Sequence, residues 1–207
     1  MNIKINLEPN EIEAQINKNN FGFMFAPNYH STMRFVGPTR KRIGKRTIFN
    51  MIGPLSSPAL VKRQVVGVFD KKLLKIFADA LNNLDIKYAW IVNSEDGLDE
   101  ISPYAKTNVI ELKDNKISEI IIDPKKLNLN ADKFENLVGD DAKFNADKMI
   151  NIFRSEDNDF SKAVCLNAAA GLIVNETHKN FANAYNDTRE HILSSKVIKH
   201  LEKIQNG

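Results

Sequence analysis

Acidic residues crowd into one short segment of the chain. Glu95, Asp96, Asp99 and Glu100 place four carboxylates within six residues, directly after the apolar run YAWIV. Hard cations such as Mg²⁺ are held by one or two carboxylates together with substrate phosphates and water. Acidic loops after strands are also common without any ligand, so the residues alone leave both interpretations open. The segment is a candidate magnesium site.

A second segment, from Gly22 to Pro58, contains six Arg or Lys residues and no acidic residue. The pairs Gly37-Pro38 and Gly53-Pro54 interrupt it and predict short, broken helices, which place polar side chains at defined points. Pro38 suits the first turn of a helix, and Gly44 suits the position just past a helix end. The pattern indicates a site for an anion.

The cysteine and most of the histidines give little indication of a functional site. The single cysteine, Cys165, lies in the apolar run AVCLNAAAGLIV, which is typical of a residue packed in a core. His178, His191 and His200 fall on polar helices near the end of the chain, as ordinary surface histidines do. His30 differs because it lies within the basic segment.

The elements around the acidic loop form a βαβ unit. An apolar run at 64–69 predicts a buried strand, Asp70 suits a helix N-cap, and apolar residues at 71–83 recur with the period of a helix. The run at 88–92 predicts a second strand. Strands joined in this way are parallel with a right-handed crossover, and ligands bind at their carboxyl ends. The acidic loop follows the second strand at that end.

The remaining pattern predicts a layered α/β domain with a largely parallel central sheet flanked by helices. A hairpin is predicted from alternating residues on either side of Lys113–Lys116. Helices are predicted at Pro9–Asn19, 145–153, 161–174 and 180–204, the last with a break near Ser194-Ser195.

The basic segment resembles the middle of anthranilate phosphoribosyltransferase, the enzyme family that adds phosphoribose to anthranilate in tryptophan biosynthesis. The spacing between the matching blocks fits without gaps. The blocks are GFMFAP, Tyr29-His30, Val36-Gly37-Pro38, RTIFN and Gly53-Pro54-Leu55.

The resemblance implies roles for several residues. The family's Gly-Leu-Asp-Glu motif maps its magnesium-binding pair onto Asp99 and Glu100, and its carboxylate-binding arginine maps onto Arg40. A guanidinium offers the anthranilate carboxylate a planar, bidentate fork that a lysine cannot reproduce. The rest of the anthranilate side falls on Tyr29, His30, Gly53 and Pro54. Arg42 and Arg46 are expected to be structural or to steer phosphate.

The chain departs from the family in two ways. Asn93-Ser94 stands where family members often carry His-Gly. The family's Gly-rich motif for the diphosphate of phosphoribosyl pyrophosphate has no match in the sequence. The resemblance therefore implies a C-terminal fragment, about three-fifths of the enzyme, that carries the Arg40 side and the magnesium pair but is inactive alone.

The resemblance implies a fold of the nucleoside-phosphorylase/phosphoribosyltransferase type. Two parts are expected within this fragment. Residues 1–58 form an extended piece and broken helices that pack on a missing N-terminal helical segment, and residues 59–207 form the α/β domain. Without that segment, an apolar patch is exposed, and such patches favour self-association into a homo-oligomer. The patch consists of Phe23, Phe25, Met33 and Phe35.

Composition narrows the remaining alternatives. The 207 residues, with 43% hydrophobic and 27% charged residues, are typical of a folded globular protein. No apolar run reaches membrane-spanning length and no signal peptide opens the chain, so a cytoplasmic location is expected. A nucleic-acid-binding module that uses the basic Arg34–Arg46 segment is an alternative, although the net charge of +3 does not favour it. A relative of the nucleoside phosphorylases is another.

Overall fold

The chain begins with short helices. The computed structural model describes residues 1–29, 33–45, 47–129 and 134–205. An extended piece leads into α1 (Pro9–Asn19), where Glu8 and Glu11 form a capping box. In the described ranges, three further helices precede the sheet: α2 (Ala26–Tyr29), α3 (Met33–Ile43) and α4 (Phe49–Leu55). The helices are short, as predicted, but the Gly37-Pro38 and Gly53-Pro54 pairs lie inside α3 and α4 rather than between helices.

One detail of this region differs from the prediction. Pro38 lies inside α3 rather than in its first turn, so α3 runs through the Gly37-Pro38 pair. Gly44 follows the last residue of α3 with a φ of +63°, a left-handed conformation that suits glycine at a helix end.

Within the described ranges, the central sheet has four strands in chain order: β1 (Arg63–Gly67), β2 (Tyr88–Ser94), β3 (Thr107–Lys113) and β4 (Lys116–Ile122). β1 and β2 are parallel, whereas β2 with β3 and β3 with β4 are antiparallel. The sheet is therefore mixed, and the prediction of a largely parallel sheet is wrong. The reason is that no helix crosses between β2 and β3, so the chain turns back directly.

Helices cover the sheet. α5 (Leu73–Asn83) joins β1 to β2 and completes the predicted βαβ unit. In the described part of the chain, β4 is followed by two 3₁₀ turns, Pro124–Leu127 and Phe134–Leu137, and then by the C-terminal helices. A break at Ser194-Ser195 separates the last two helices, as predicted. These helices are α6 (Ala142–Phe153), α7 (Asp159–Val174), α8 (Phe181–Leu193) and α9 (Lys196–Gln205).

Alternate residues of β2 build two cores. Tyr88, Trp90 and Val92 face one cluster together with residues of α7 and α8, whereas Ala89 and Ile91 face a second cluster with α5. Every residue of β2 is buried, as expected of a strand covered on both faces. Cys165 belongs to the first cluster, in agreement with its predicted place in the core.

None of the helices in the described ranges is long and apolar enough to cross a membrane.

Candidate functional site

The acidic loop leaves the sheet where β2 ends. Asn93, the last residue but one of β2, donates from Nδ2 to the carbonyl of Val68 at 2.8 Å, across the junction with β1. The loop then turns tightly, since the Gly97 amide donates to the Ser94 carbonyl at 3.0 Å and Gly97 adopts a φ of +93°. The Ser94 amide closes the turn by donating to the Leu98 carbonyl at 2.9 Å.

The Asp96 side chain stabilises the conformation of this loop. Its Oδ1 accepts a hydrogen bond from the Leu98 amide at 3.3 Å, and its Oδ2 accepts one from the Ser102 hydroxyl at 2.5 Å. Both carboxylate oxygens therefore have partners within the protein. Of the four acidic side chains, Asp96 is the one that shapes the loop.

A buried cluster of hydroxyl groups lies beneath the loop and consists of Ser94, Ser102 and Thr107, all at most 2% exposed. The hydroxyls of Ser94 and Thr107 are hydrogen-bonded to each other, and the Ser102 amide donates to both oxygens at 3.2 Å. Ser94 Oγ also donates to the carbonyl of Glu100 at 2.9 Å. The hydroxyl cluster thus fixes the backbone of the predicted metal-binding pair.

Gly67 supports the loop from the other side. A Cβ atom built on this residue would lie 1.6 Å from the carbonyl oxygen of Asp99. The loop can therefore rest against the end of β1 only because residue 67 has no side chain. The glycine within the strand run QVVGVF was the available sequence signal for this close approach.

Asp99 and Glu100 keep their side chains at the surface of the loop. Although Glu100 retains solvent-accessible area, protein atoms packed around its carboxyl partly desolvate it. This desolvation, followed by the negative charge of the neighbouring Asp99, raises the pKa of Glu100 above its ordinary value. A carboxylate whose charge is disfavoured in this way gains from a nearby cation.

The donor set fits magnesium. Two adjacent hard carboxylates on an ordered loop suit an ion that takes its remaining ligands from water and phosphate. Within the described ranges, no group of three or more His, Cys, Asp and Glu side chains could hold a metal ion. The described part of the chain thus provides a pair, rather than a complete cage.

The predicted anthranilate-side residues are described only in part. His30 lies outside the described residues, as does Arg46. Arg40 belongs to α3, but its side chain is not among those described. Tyr29 ends α2, and its hydroxyl donates to the Leu7 carbonyl at 2.6 Å, which ties the helix to the extended N-terminal piece.

Gly53 and Pro54 lie within α4, where Pro54 lines a small cavity with Leu81 and Ile86 between α4 and α5. Among the described residues, neither these two nor Tyr29 forms a hydrogen bond to the acidic loop. The roles given to these residues by resemblance therefore stay predictions.

A family model described as "glycosyl transferase family, a/b domain" matches residues 1–197. The chain belongs to this family. Proteins similar to this chain are named anthranilate phosphoribosyltransferase. The protein from Pelagibacter ubique is 78% identical over 206 residues, which cover 100% of this chain and 62% of that protein. The protein from Alkaliphilus metalliredigens is 39% identical over 192 residues, covering 93% of this chain and 55% of that protein.

Solved structures of proteins with that name share the fold of this chain. The enzyme from Thermus thermophilus matches with a TM-score of 0.90 and 28% identity, over 99% of this chain and 61% of that one. The Saccharomyces cerevisiae enzyme in complex with PRPP and Mg matches with a TM-score of 0.85 and 25% identity, over 97% and 58%. Its complex with 4-fluoroanthranilate matches with a TM-score of 0.82 and 26% identity, over 93% of this chain and 57% of that one. The chain spans about three-fifths of the length of these proteins.

Proposed function

We propose that this chain works as the C-terminal part of an anthranilate phosphoribosyltransferase, which transfers phosphoribose from phosphoribosyl pyrophosphate to anthranilate. The observation that carries the proposal is the ordered acidic loop at the end of β2, with its exposed Asp99–Glu100 pair. The high identity to enzymes of that name supports it. The nucleic-acid-binding and nucleoside phosphorylase alternatives find no support among the relatives described above.

The chain's own residues would bind and orient the two substrates. Asp99 and Glu100 would hold Mg²⁺, which neutralises charge on the diphosphate leaving group. Arg40 would hold the anthranilate carboxylate through its fork, so that the amine faces the ribose. Tyr29, His30, Gly53 and Pro54 would line the anthranilate side. A cytoplasmic location stays a prediction.

Complementation tests the proposal. The 207-residue chain is mixed with anthranilate, Mg²⁺ and phosphoribosyl pyrophosphate, with and without a polypeptide that supplies the remaining part of the Pelagibacter relative. We expect no turnover from the chain alone and measurable turnover from the mixture. Clear activity of the chain alone would overturn the incomplete-enzyme part of the proposal, and failure of a folded, associated mixture to turn over would overturn the function.

Variants of the acidic loop test the metal pair in the same mixture. Asp99→Asn and Glu100→Gln are expected to lower kcat/KM by about tenfold or more at a fixed Mg²⁺ concentration, because each removes a hard ligand. Glu95→Gln is the matched control, since Glu95 is an exposed carboxylate of the same loop outside the pair. Equal losses in all three variants would contradict the assignment.

Arg40 is tested by its substrate selectivity. Arg40→Lys keeps the charge but loses the bidentate geometry, so we expect the KM for anthranilate to rise about tenfold while the KM for phosphoribosyl pyrophosphate changes little. Arg42→Lys, on the same helix, is the control. A larger effect in the Arg42 variant would move the carboxylate-binding role away from Arg40.

A further inference from the structure

Asn167, in the middle of α7, contacts the acidic loop from a distance of 66 residues along the chain. Its Oδ1 accepts a hydrogen bond from the Ile101 amide at 2.9 Å, and its Nδ2 donates to the Ile101 carbonyl at 3.1 Å. Nδ2 also donates to the Ala163 carbonyl within α7, at 2.9 Å. These contacts determine the orientation of the amide, because an amide N–H must meet Oδ1 and carbonyls must meet Nδ2.

The peptide group between Glu100 and Ile101 is thereby held at both ends. Its carbonyl oxygen accepts from Ser94 Oγ at 2.9 Å, and its N–H donates to Asn167 Oδ1. The Ile101 side chain is fully buried in the core. Solvent is therefore a poor substitute for either partner, and loss of the amide would leave buried backbone groups unpaired.

A second contact ties the segment after the pair to the same helix. The Tyr104 hydroxyl donates to Asp159 Oδ2 at 2.9 Å, and Asp159 is the first residue of α7. Asp159 is itself buried and accepts from Asn136 Nδ2 at 2.9 Å. The chain that follows the acidic pair is thus fastened to α7 at two points, about two helical turns apart.

We propose that Asn167 is a positioning residue for the Asp99–Glu100 pair: its amide fixes the Glu100–Ile101 peptide plane and so presents the two carboxylates to a divalent cation. The metal part of this inference rests on the proposed function of that pair. Groups that orient metal ligands typically change metal affinity by about 10- to 100-fold when they are removed.

The test compares variants of the 207-residue chain. In Asn167→Ala, we expect exchange of the Ile101 amide hydrogen to accelerate about tenfold or more. We also expect the affinity for Mn²⁺ to fall about tenfold, and this affinity is measured by paramagnetic broadening of the Gly97 amide signal. Asn167→Asp keeps the acceptor for the Ile101 amide and loses the donor. Its Ile101 exchange rate and its Mn²⁺ affinity should therefore lie between those of the parent and of Asn167→Ala. It also serves if the alanine variant does not fold.

Thr188→Val is the matched control. The Thr188 hydroxyl bonds the carbonyls of Cys165 and Tyr185 at 3.2 and 2.8 Å, so it also ties α7 to a neighbouring element without touching the loop. The control should lose stability without changing Ile101 exchange or Mn²⁺ affinity.

Unchanged Ile101 exchange in both Asn167 variants, or equal loss of Mn²⁺ affinity in Thr188→Val, would overturn the inference. If the parent binds no Mn²⁺, the metal assignment of the proposed function fails, and amide exchange alone then decides whether Asn167 orders the loop.

Discussion

At the scale of single residues, the end of β1 has no room for a side chain. The carbonyl carbon of Asp99 would lie 2.7 Å from a Cβ on Gly67, and its oxygen still closer. Both are backbone atoms, so the clash cannot be relieved by rotating a side chain. Any larger residue must push the acidic loop away from the sheet.

We therefore expect Gly67→Ala to lower the free energy of unfolding by about 1–3 kcal/mol, the usual cost of overpacking, measured by urea denaturation. It should also weaken Mg²⁺ binding. Gly171→Ala is the control, because a Cβ on this helical residue meets nothing within 4 Å. That variant should gain up to about 1 kcal/mol from helix propensity. Similar losses in the two variants would contradict the clash.

Glu100 makes stability depend on pH. Its pKa is raised in the folded chain, so the folded state holds this proton more tightly than the unfolded state. Its contribution to stability is therefore most favourable below the ordinary value of 4.5 and is lost as the pH rises through the raised folded pKa. At neutral pH the ionised side chain is a net cost.

Glu100→Gln should consequently be more stable than the parent at neutral pH, and this advantage should shrink in acid. Added Mg²⁺ should stabilise the parent more than the variant, which keeps Asp99 but lacks the second ligand. The stability difference between the two proteins at neutral pH should therefore shrink or change sign. Thermal unfolding at about pH 4 and about pH 7, with and without Mg²⁺, measures both effects. The role of Glu100 would be refuted if Mg²⁺ left the melting temperature of the parent unchanged but raised the melting temperature of Glu100→Gln.

At the scale of elements, the hairpin of β3 and β4 was predictable because its signals are local. The two turn residues, Asp114 and Asn115, both adopt left-handed conformations, with φ of 47° and 63°. Two such residues between paired Lys113 and Lys116 form the tight turn that matches the twist of antiparallel strands. Asp and Asn tolerate this conformation better than most residues.

Asn115→Gly is expected to raise the free energy of unfolding by up to about 1 kcal/mol, since glycine adopts positive φ without a steric cost. Asn115→Ala should lower it by about 1 kcal/mol, because a Cβ without a compensating polar group is strained there. Thermal unfolding of the two variants measures this difference. If Asn115→Ala were more stable than Asn115→Gly, the turn would not be formed as described.

The prediction of a largely parallel sheet failed for a reason at this same scale. The βαβ unit and the hairpin were each recognised from their own period, but the pairing of β2 with β3 joins two units. Their relative direction depends on how the loop after β2 turns back. The Ser94, Ser102 and Thr107 hydroxyls that shape this turn come from both sides of it, and sequence spacing does not show that they meet.

At the scale of the whole molecule, large apolar side chains remain exposed in the N-terminal part. Phe23, Phe25 and Phe35 are 45%, 36% and 73% exposed. Ile48 and Ile52 on or next to α4 are also exposed. The exposed phenylalanines agree with the predicted apolar patch, although the side chain of Met33 is not described.

Such a patch favours association. We expect the isolated chain to elute as concentration-dependent oligomers, measured by light scattering after gel filtration, and the double variant Phe23→Ser/Phe35→Ser to shift the distribution toward monomer. Ile76→Ser, which removes a single exposed side chain from α5, should leave it unchanged. A monodisperse monomer of the parent chain at all concentrations would contradict the prediction.

The sequence by itself determined the elements, the α/β class and the position of the acidic pair after β2. Each depends on local periodicity, on turn residues or on a contiguous motif, and these act between neighbours along the chain. It also carried the motifs that indicate the family.

Tertiary structure alone decided how that pair is held. Gly67, Asn167 and the hydroxyl groups of Ser94, Ser102 and Thr107 reach the acidic loop from separate elements. Many of their partners are backbone groups, such as the Glu100 carbonyl and the Ile101 amide, and backbone groups have no signature in the sequence. Only the packing of β1, β2 and α7 around the loop brings these groups within hydrogen-bonding distance and turns an acidic segment into an ordered site.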